Sequence, residues 1–274
     1  MKKILILSLA MLTACGTEPQ NLNPLGGVHS ETTVAKSSII TTESTETQTT
    51  TIQIKKVVRN LKEEMFIDVP YYSQHDYPTG CELVSTSMLL AFYGFDIKAG
   101  DIINKGYLNA VDVTRKGKDK IKYGGNPDKV FVGNPKYNTG YGCYSGAIIL
   151  ALQRYLTPQE YKLGKNYKIT DLKGMELEEI CEKYINNGVP VLIWASINMK
   201  PTFINLSNSW IVENTGERYF WKSNEHCLVL VGYDDENYYF NDPLVSKNTP
   251  YIKRLVERRY DEMGMQAIAV EVIP

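Results

Sequence analysis

The chain has 274 residues, 43% of them hydrophobic and 22% charged, with a formal net charge of −1. That balance belongs to a globular protein and excludes collagenous, fibrous and wholly disordered chains. Near-zero charge gives no electrostatic ground for a nucleic-acid partner, and the basic run from Arg115 to Lys122, without interleaved aromatics, reads as a solvated loop.

The first predicted element is a targeting segment. Lys2 and Lys3 precede an apolar stretch, Ile4 to Leu12, and then small residues. So short a stretch suits a secretory signal rather than a permanent membrane span. The ending Leu-Thr-Ala-Cys resembles the lipobox of bacterial lipoproteins, which implies a signal peptide over 1–14 and a diacylglyceryl group on Cys15. Two or three acyl chains on one residue hold a protein stably at a membrane. Residues 15–62 are rich in Ser, Thr and Glu and carry no sustained apolar period, so they cannot offset the entropy of ordering. They are expected to form a lipid-anchored flexible tether, with the domain facing outside the cytoplasm. Residues 63–274 then form one domain with its own core.

Within that domain, Thr79-Gly80-Cys81-Glu82 fits the capping-box pattern Ser/Thr-x-x-Glu. Leu83, Val84, Met88, Leu89, Leu90, Phe92 and Tyr93 supply an apolar stripe, and Gly94 is a natural stop. The pattern predicts a helix from this cap, with Cys81 at its second position. First-turn amides lack intrahelical partners and the macrodipole favours negative charge there, so a thiol at that place is expected to have a lowered pKa. On the capping match alone, a reactive and a structural Cys81 are evenly matched. Gln74, seven residues earlier, offers a side-chain amide that could share an oxyanion with the Cys81 N–H. His75 competes for that place, and a surface glutamine is the plain alternative.

A second amphipathic helix is expected after Cys143 and to pack against the first. Cys143 also precedes an apolar helix but lacks the Thr-x-x-Glu cap. Cys143, Cys181 and Cys227 lie among apolar residues and read as buried free thiols; with no C-x-x-C pair, no zinc or thioredoxin-like site is supported. The stretch Gly188–Ser196 reads as a loop and a buried strand. Met199–Glu225, polar and aromatic, is expected to form a cleft wall or lid.

The last element is a hairpin. His226 opens an apolar run, Leu228–Val231, followed by an acidic turn and a Tyr-Tyr-Phe strand. A hairpin centred on Asp234 sets His226 and Asp242 opposite each other, and a one-residue slip breaks the match unless a bulge restores it. An imidazole so placed could exchange a proton with Cys81 while the carboxylate fixes its tautomer. The plain alternative is a satisfied strand-edge histidine beside an Asp-Pro turn.

Taken together, "VPYYSQHDYPTGCELVSTSMLLAFYG", "GYGCYSGAIILAL", "GVPVLIWAS" and "HCLVLVGYDDENYYFNDPL" resemble, in order, the blocks of the papain-like domain of cysteine peptidase family thirty-nine. The resemblance is closest to its stand-alone, C39-peptidase-like branch of secreted and lipid-anchored bacterial proteins, and runs from about Phe66 to the C-terminus. It implies an α+β papain-like fold, with an N-terminal helical part carrying the nucleophile and a C-terminal antiparallel sheet carrying His and Asp. It implies Cys81 as nucleophile, His226 as general base and acid, Asp242 as orienting carboxylate and Gln74 as oxyanion donor. Many relatives carry Gly-Pro after the nucleophile where this chain has Glu82-Leu83, so double-glycine leader specificity is not carried over. The expected function is a membrane-anchored extracellular cysteine peptidase acting on a peptide or protein, with no metal or organic cofactor. Two alternatives use the same scaffold: a non-catalytic binding module, and a thiol-dependent acyl transferase or cell-wall amidase.

Overall fold

In the computed structural model, which describes residues 59–273, the chain enters the domain before the expected boundary at 63. Arg59 reaches Glu176 at 2.7 Å, the Asn60 N–H donates to Glu182, and the Lys62 N–H donates to the Tyr233 hydroxyl at 2.9 Å. The signal segment, Cys15 and the rest of the tether lie outside the described residues.

The first half runs β1 (Met65–Phe66), α1 (Cys81–Phe92), α2 (Ala99–Asn104), β2 (Ala110–Val111), β3 (Thr114–Lys116), β4 (Ile121–Gly124), β5 (Phe131–Val132) and α3 (Ser145–Leu163). The second runs β6 (Asn166–Asp171), α4 (Leu177–Lys183), β7 (Val191–Ser196), β8 (Phe203–Val212), β9 (Arg218–Ser223) and β10 (Glu225–Tyr233). It ends in β11 (Asn237–Asn241), β12 (Thr249–Ile252), α5 (Lys253–Glu262) and β13 (Ala267–Ile273). This is the α+β architecture expected, with the cysteine on an N-terminal helix and His and Asp on a C-terminal antiparallel sheet.

That sheet has seven strands, ordered β12-β11-β10-β7-β13-β6 with β1 on β10, and every pairing is antiparallel. β7 and β10 are buried along their whole length, which explains why "VLIWAS" and "HCLVLV" are continuous rather than alternating apolar runs. α1 packs on β10 and β7, and α5 packs on β7. α1 is itself buried from Cys81 to Leu90, and its polar residues are satisfied locally: Thr86 donates to the Glu82 carbonyl, Ser87 to that of Leu83, and Ser85 to that of Cys227. The helix stops as expected at Gly94, whose φ of +84° favours a residue without Cβ.

One expectation changes: α3 lies chiefly against β6 and β13 rather than against α1. The segment Met199–Glu225, expected as a cleft wall or lid, is largely strand. It supplies β8 and β9 of a second sheet, β3-β4-β8-β9. Trp210, Trp221 and Tyr144 are buried there against a half-buried Tyr141, and the Tyr144 and Trp221 rings stack at 5.3 Å. Interleaved polar residues masked these anchors in the sequence, because a lone Trp carries no period.

Candidate active site

The N-terminus of α1 is built differently from the expected capping box. Gly80, not Thr79, is the N-cap, so Cys81 is the first helical residue rather than the second. The Thr79 hydroxyl donates to the carbonyls of Tyr137 and Asn134, at 3.1 and 3.4 Å. Glu82 also turns away from the cap: its Oε1 accepts the Cys143 N–H at 2.6 Å and its Oε2 lies 3.4 Å from Cys81 Sγ. Tertiary partners outbid both halves of the local motif.

Cys81 Sγ faces the edge of β10, where it accepts the Cys227 N–H at 3.4 Å, one residue from His226. Its own hydrogen bond goes to Glu82 and not to the imidazole. The expected lowering of its pKa is overturned. Burial, with the Glu225 and Glu82 carboxylates close by, pushes the thiol well above its ordinary range. The macrodipole acts in the opposite sense but is worth at most about 2 kcal/mol, and the desolvation of a buried charge exceeds it. The resting thiol therefore carries its proton.

His226 is 1% exposed, and its Nε2 contacts Asp242 Oδ1 at 2.7 Å. Nδ1 is buried and has no hydrogen-bond partner among the described residues. Asp242 Oδ1 also accepts the Leu244 N–H, and Oδ2 accepts the Tyr251 hydroxyl at 2.7 Å. Burial alone would raise the Asp242 carboxyl, but His226, Tyr251 and the Leu244 amide outweigh it and hold the group below its ordinary value.

The pair forms through a register the sequence did not indicate. Near the turn Tyr233 pairs with Tyr238 and Gly232 with Tyr239; beyond a bulge at Val231, Leu230 pairs with Phe240 and Val229 with Asn241. Continuing the first register would set Asp242 opposite Val229, on the face away from His226. The extra residue restores parity, bringing Asp242 to the face of Leu228 and His226, as a diagonal neighbour of the imidazole. The hairpin is thus not centred on Asp234, which instead begins the turn and accepts the Glu236 and Asn237 amides.

Gln74 is buried, whereas His75 is exposed and takes no part. Gln74 Nε2 donates to the Pro78 carbonyl at 3.2 Å, Oε1 has no partner, and the backbone N–H donates to the Pro243 carbonyl at 2.9 Å. That last bond joins the Gln74 loop to the residue after Asp242. Cys81 is thus tied to the residue after His226, and Gln74 to the residue after Asp242. Cys143 is buried and its amide serves Glu82. The four cysteines of the domain are free.

Two neighbours were missed, Glu225 and Tyr251. Glu225, which precedes His226, is buried and raised well above the carboxyl range by burial and by Glu82. Glu82 is pushed up to about 7, chiefly by burial, with the amides of Cys143 and Glu82 and the Cys81 thiol opposing. A glutamate abutting a fully apolar strand was the available sign; for Tyr251 there was none. A cavity of about 350 Å³, lined by Tyr71, Tyr72, Ser73, Tyr77, Ser87 and Lys98, flanks the Gln74 loop. A larger one of about 480 Å³, between α4 and α5, shares no residue with the site.

Residues 66–268 match the model of the Peptidase_C39 like family. The chain is 28% identical over 211 residues to YvpB, an uncharacterized protein of Bacillus subtilis (strain 168), the match spanning 75% of each. A crystal structure from Bacillus anthracis, provisionally described as a C39-like peptidase, superposes with a TM-score of 0.62 at 28% identity, covering 78% of this chain and 98% of that one.

Proposed function

Since the chain belongs to the Peptidase_C39 like family, we propose that it hydrolyses peptide bonds with Cys81, His226, Asp242 and Gln74, as a lipoprotein held outside the cytoplasmic membrane through Cys15. The observation that carries this reading is the division of labour on one imidazole: Nε2 is committed to Asp242, while Nδ1 is buried and has no hydrogen-bond partner among the described residues. The adjacent amide, that of Cys227, already touches the sulfur.

The chemistry starts from a neutral thiol. Rotation about χ1 carries Sγ from Glu82 toward His226 Nδ1, which takes the thiol proton as sulfur attacks the substrate carbonyl. Asp242, ionised and fixed by Tyr251, stabilises the imidazolium that results. The oxyanion lies at the start of α1, where the Cys81 N–H is an unpaired first-turn donor and Gln74 Nε2, bonded to the Pro78 carbonyl at 3.2 Å, exchanges its long 3.5 Å bond to the Tyr77 carbonyl for one to the substrate. Imidazolium then protonates the leaving amine, and a water activated by the same ring hydrolyses the thioester.

The burial of both reactive groups favours one rival, a binding module with its chemistry unused. Incubating the purified full chain with a peptide library, in chelator, separates the two. Turnover is expected from the parent and none from Cys81→Ala or His226→Ala, with their circular dichroism unchanged; persistent turnover in Cys81→Ala refutes the proposal. Transfer to an added amine in place of water would identify an acyl transferase.

A further inference from the structure

Behind the nucleophile lies a cluster the proposed hydrolysis does not use. Glu82 and Glu225 face each other beside Gly142, and a carboxylate oxygen of each lies, together with Cys81 Sγ, within 4.8 Å of the other two. All three side chains are buried, and Glu225 Oε1 has no hydrogen-bond partner. Among the described residues neither glutamate forms an ion pair, although partly exposed glutamates elsewhere, such as Glu179 and Glu262, do. Burying two carboxyl groups without a counter-cation is costly, and proteins that do so bind protons or a metal there.

We propose that Cys81, Glu82 and Glu225 form a site for a divalent cation of the zinc class. A thiolate with two carboxylates suits zinc better than magnesium or calcium, which take oxygen alone. Zinc bonds of about 2.3 Å to sulfur and about 2.1 Å to oxygen at the tetrahedral angle separate the two donors by about 3.6 Å. Cys81 Sγ and Glu82 Oε2 already stand 3.4 Å apart. A Glu225 carboxylate oxygen supplies the third ligand, and water completes the shell. Binding releases the thiol proton, and any proton on the carboxyl groups, to the buffer. It also fixes Sγ on the side away from His226 Nδ1, so the loaded protein is held in an off state that a chelator reverses.

Metal capture can be tested whether or not the protein turns over a substrate. Full chain stripped with chelator and dialysed is titrated with Zn²⁺ by calorimetry, and with Co²⁺ while following the thiolate-to-cobalt absorption band. One ion per chain is expected. Cys81→Ala should abolish the band, and Glu225→Gln and Glu82→Gln should each weaken Zn²⁺ binding by about tenfold or more. His226→Ala should bind as the parent does. Failure of the parent to bind, or binding indifferent to both glutamine variants, overturns the site. Loss of binding in His226→Ala also overturns it, by pointing to a Cys–His chelate. Near-ultraviolet circular dichroism identifies any variant that does not fold, and the other glutamine variant then decides. Zinc binding by a chain that cleaves nothing would sustain this site and refute the hydrolysis.

Discussion

Replacing Glu82 by Gln should make the domain more stable, not less, above neutral pH. In the folded protein the Glu82 carboxyl is pushed up to about 7 from an ordinary 4.5. Its contribution to stability is therefore fully present below pH 4.5, falls as the unfolded chain ionises ahead of the folded one, and is flat again above about 7. At about 1.4 kcal/mol per pH unit, the gap corresponds to about 3 kcal/mol lost by pH 8. Glutamine cannot ionise, and its carbonyl can still accept the Cys143 N–H. It gives up the acceptor for the Cys81 thiol, a loss of about 1 kcal/mol. The variant should thus gain about 2 kcal/mol at pH 8, and lose that advantage as the pH is lowered toward the ordinary carboxyl range. Urea denaturation of both proteins across this range, in chelator, provides the measurement. A variant no more stable than its parent at high pH, or a gap that does not narrow as pH falls, would refute the argument that burial sets this group.

Cys81 should react with iodoacetamide more slowly at neutral pH than an exposed cysteine, because burial and the two glutamates disfavour its thiolate; fast labelling, read by mass spectrometry, would contradict this. Tyr251→Phe removes the donor to Asp242 Oδ2, so stability should fall by about 1.5–3 kcal/mol and kcat should drop with KM little changed. A Cβ on Gly142 would stand 2.2 Å from Glu82 Oε1, which the Cys143 amide pins, at a φ of +140°. Gly142→Ala should therefore destabilise by about 2–4 kcal/mol in thermal unfolding, and parent-like stability would show that Glu82 can move. Cys15→Ser should abolish incorporation of a labelled fatty acid in growing cells, whereas continued labelling would place the lipid elsewhere.

What was legible in the sequence was whatever a short periodic pattern encodes. The apolar stripe of α1, its stop at Gly94 and the unbroken runs of β7 and β10 all followed from local rules. The pairing of His226 with Asp242 could be anticipated because the chain has only three histidines and the hairpin brings one carboxylate beside the last of them. The misreadings share one cause: a long-range partner displaced a local one. Thr79 and Glu82 have the spacing of a reciprocal cap, yet the carbonyls of Asn134 and Tyr137 and the amide of Cys143 claim them. The bulge at Val231 is invisible in a run of Leu and Val, though it decides which face Asp242 takes. A positive helix end suggested an acidic thiol, and burial of that end by distant elements, with Glu225 and Glu82 beside it, reversed the expectation.

The bond from the Gln74 amide to the Pro243 carbonyl stitches the strand that carries the acid to the loop that carries the oxyanion donor. Displacing Pro243 would therefore disturb Gln74 and Asp242 together, so a lesion in either loop would be felt in both.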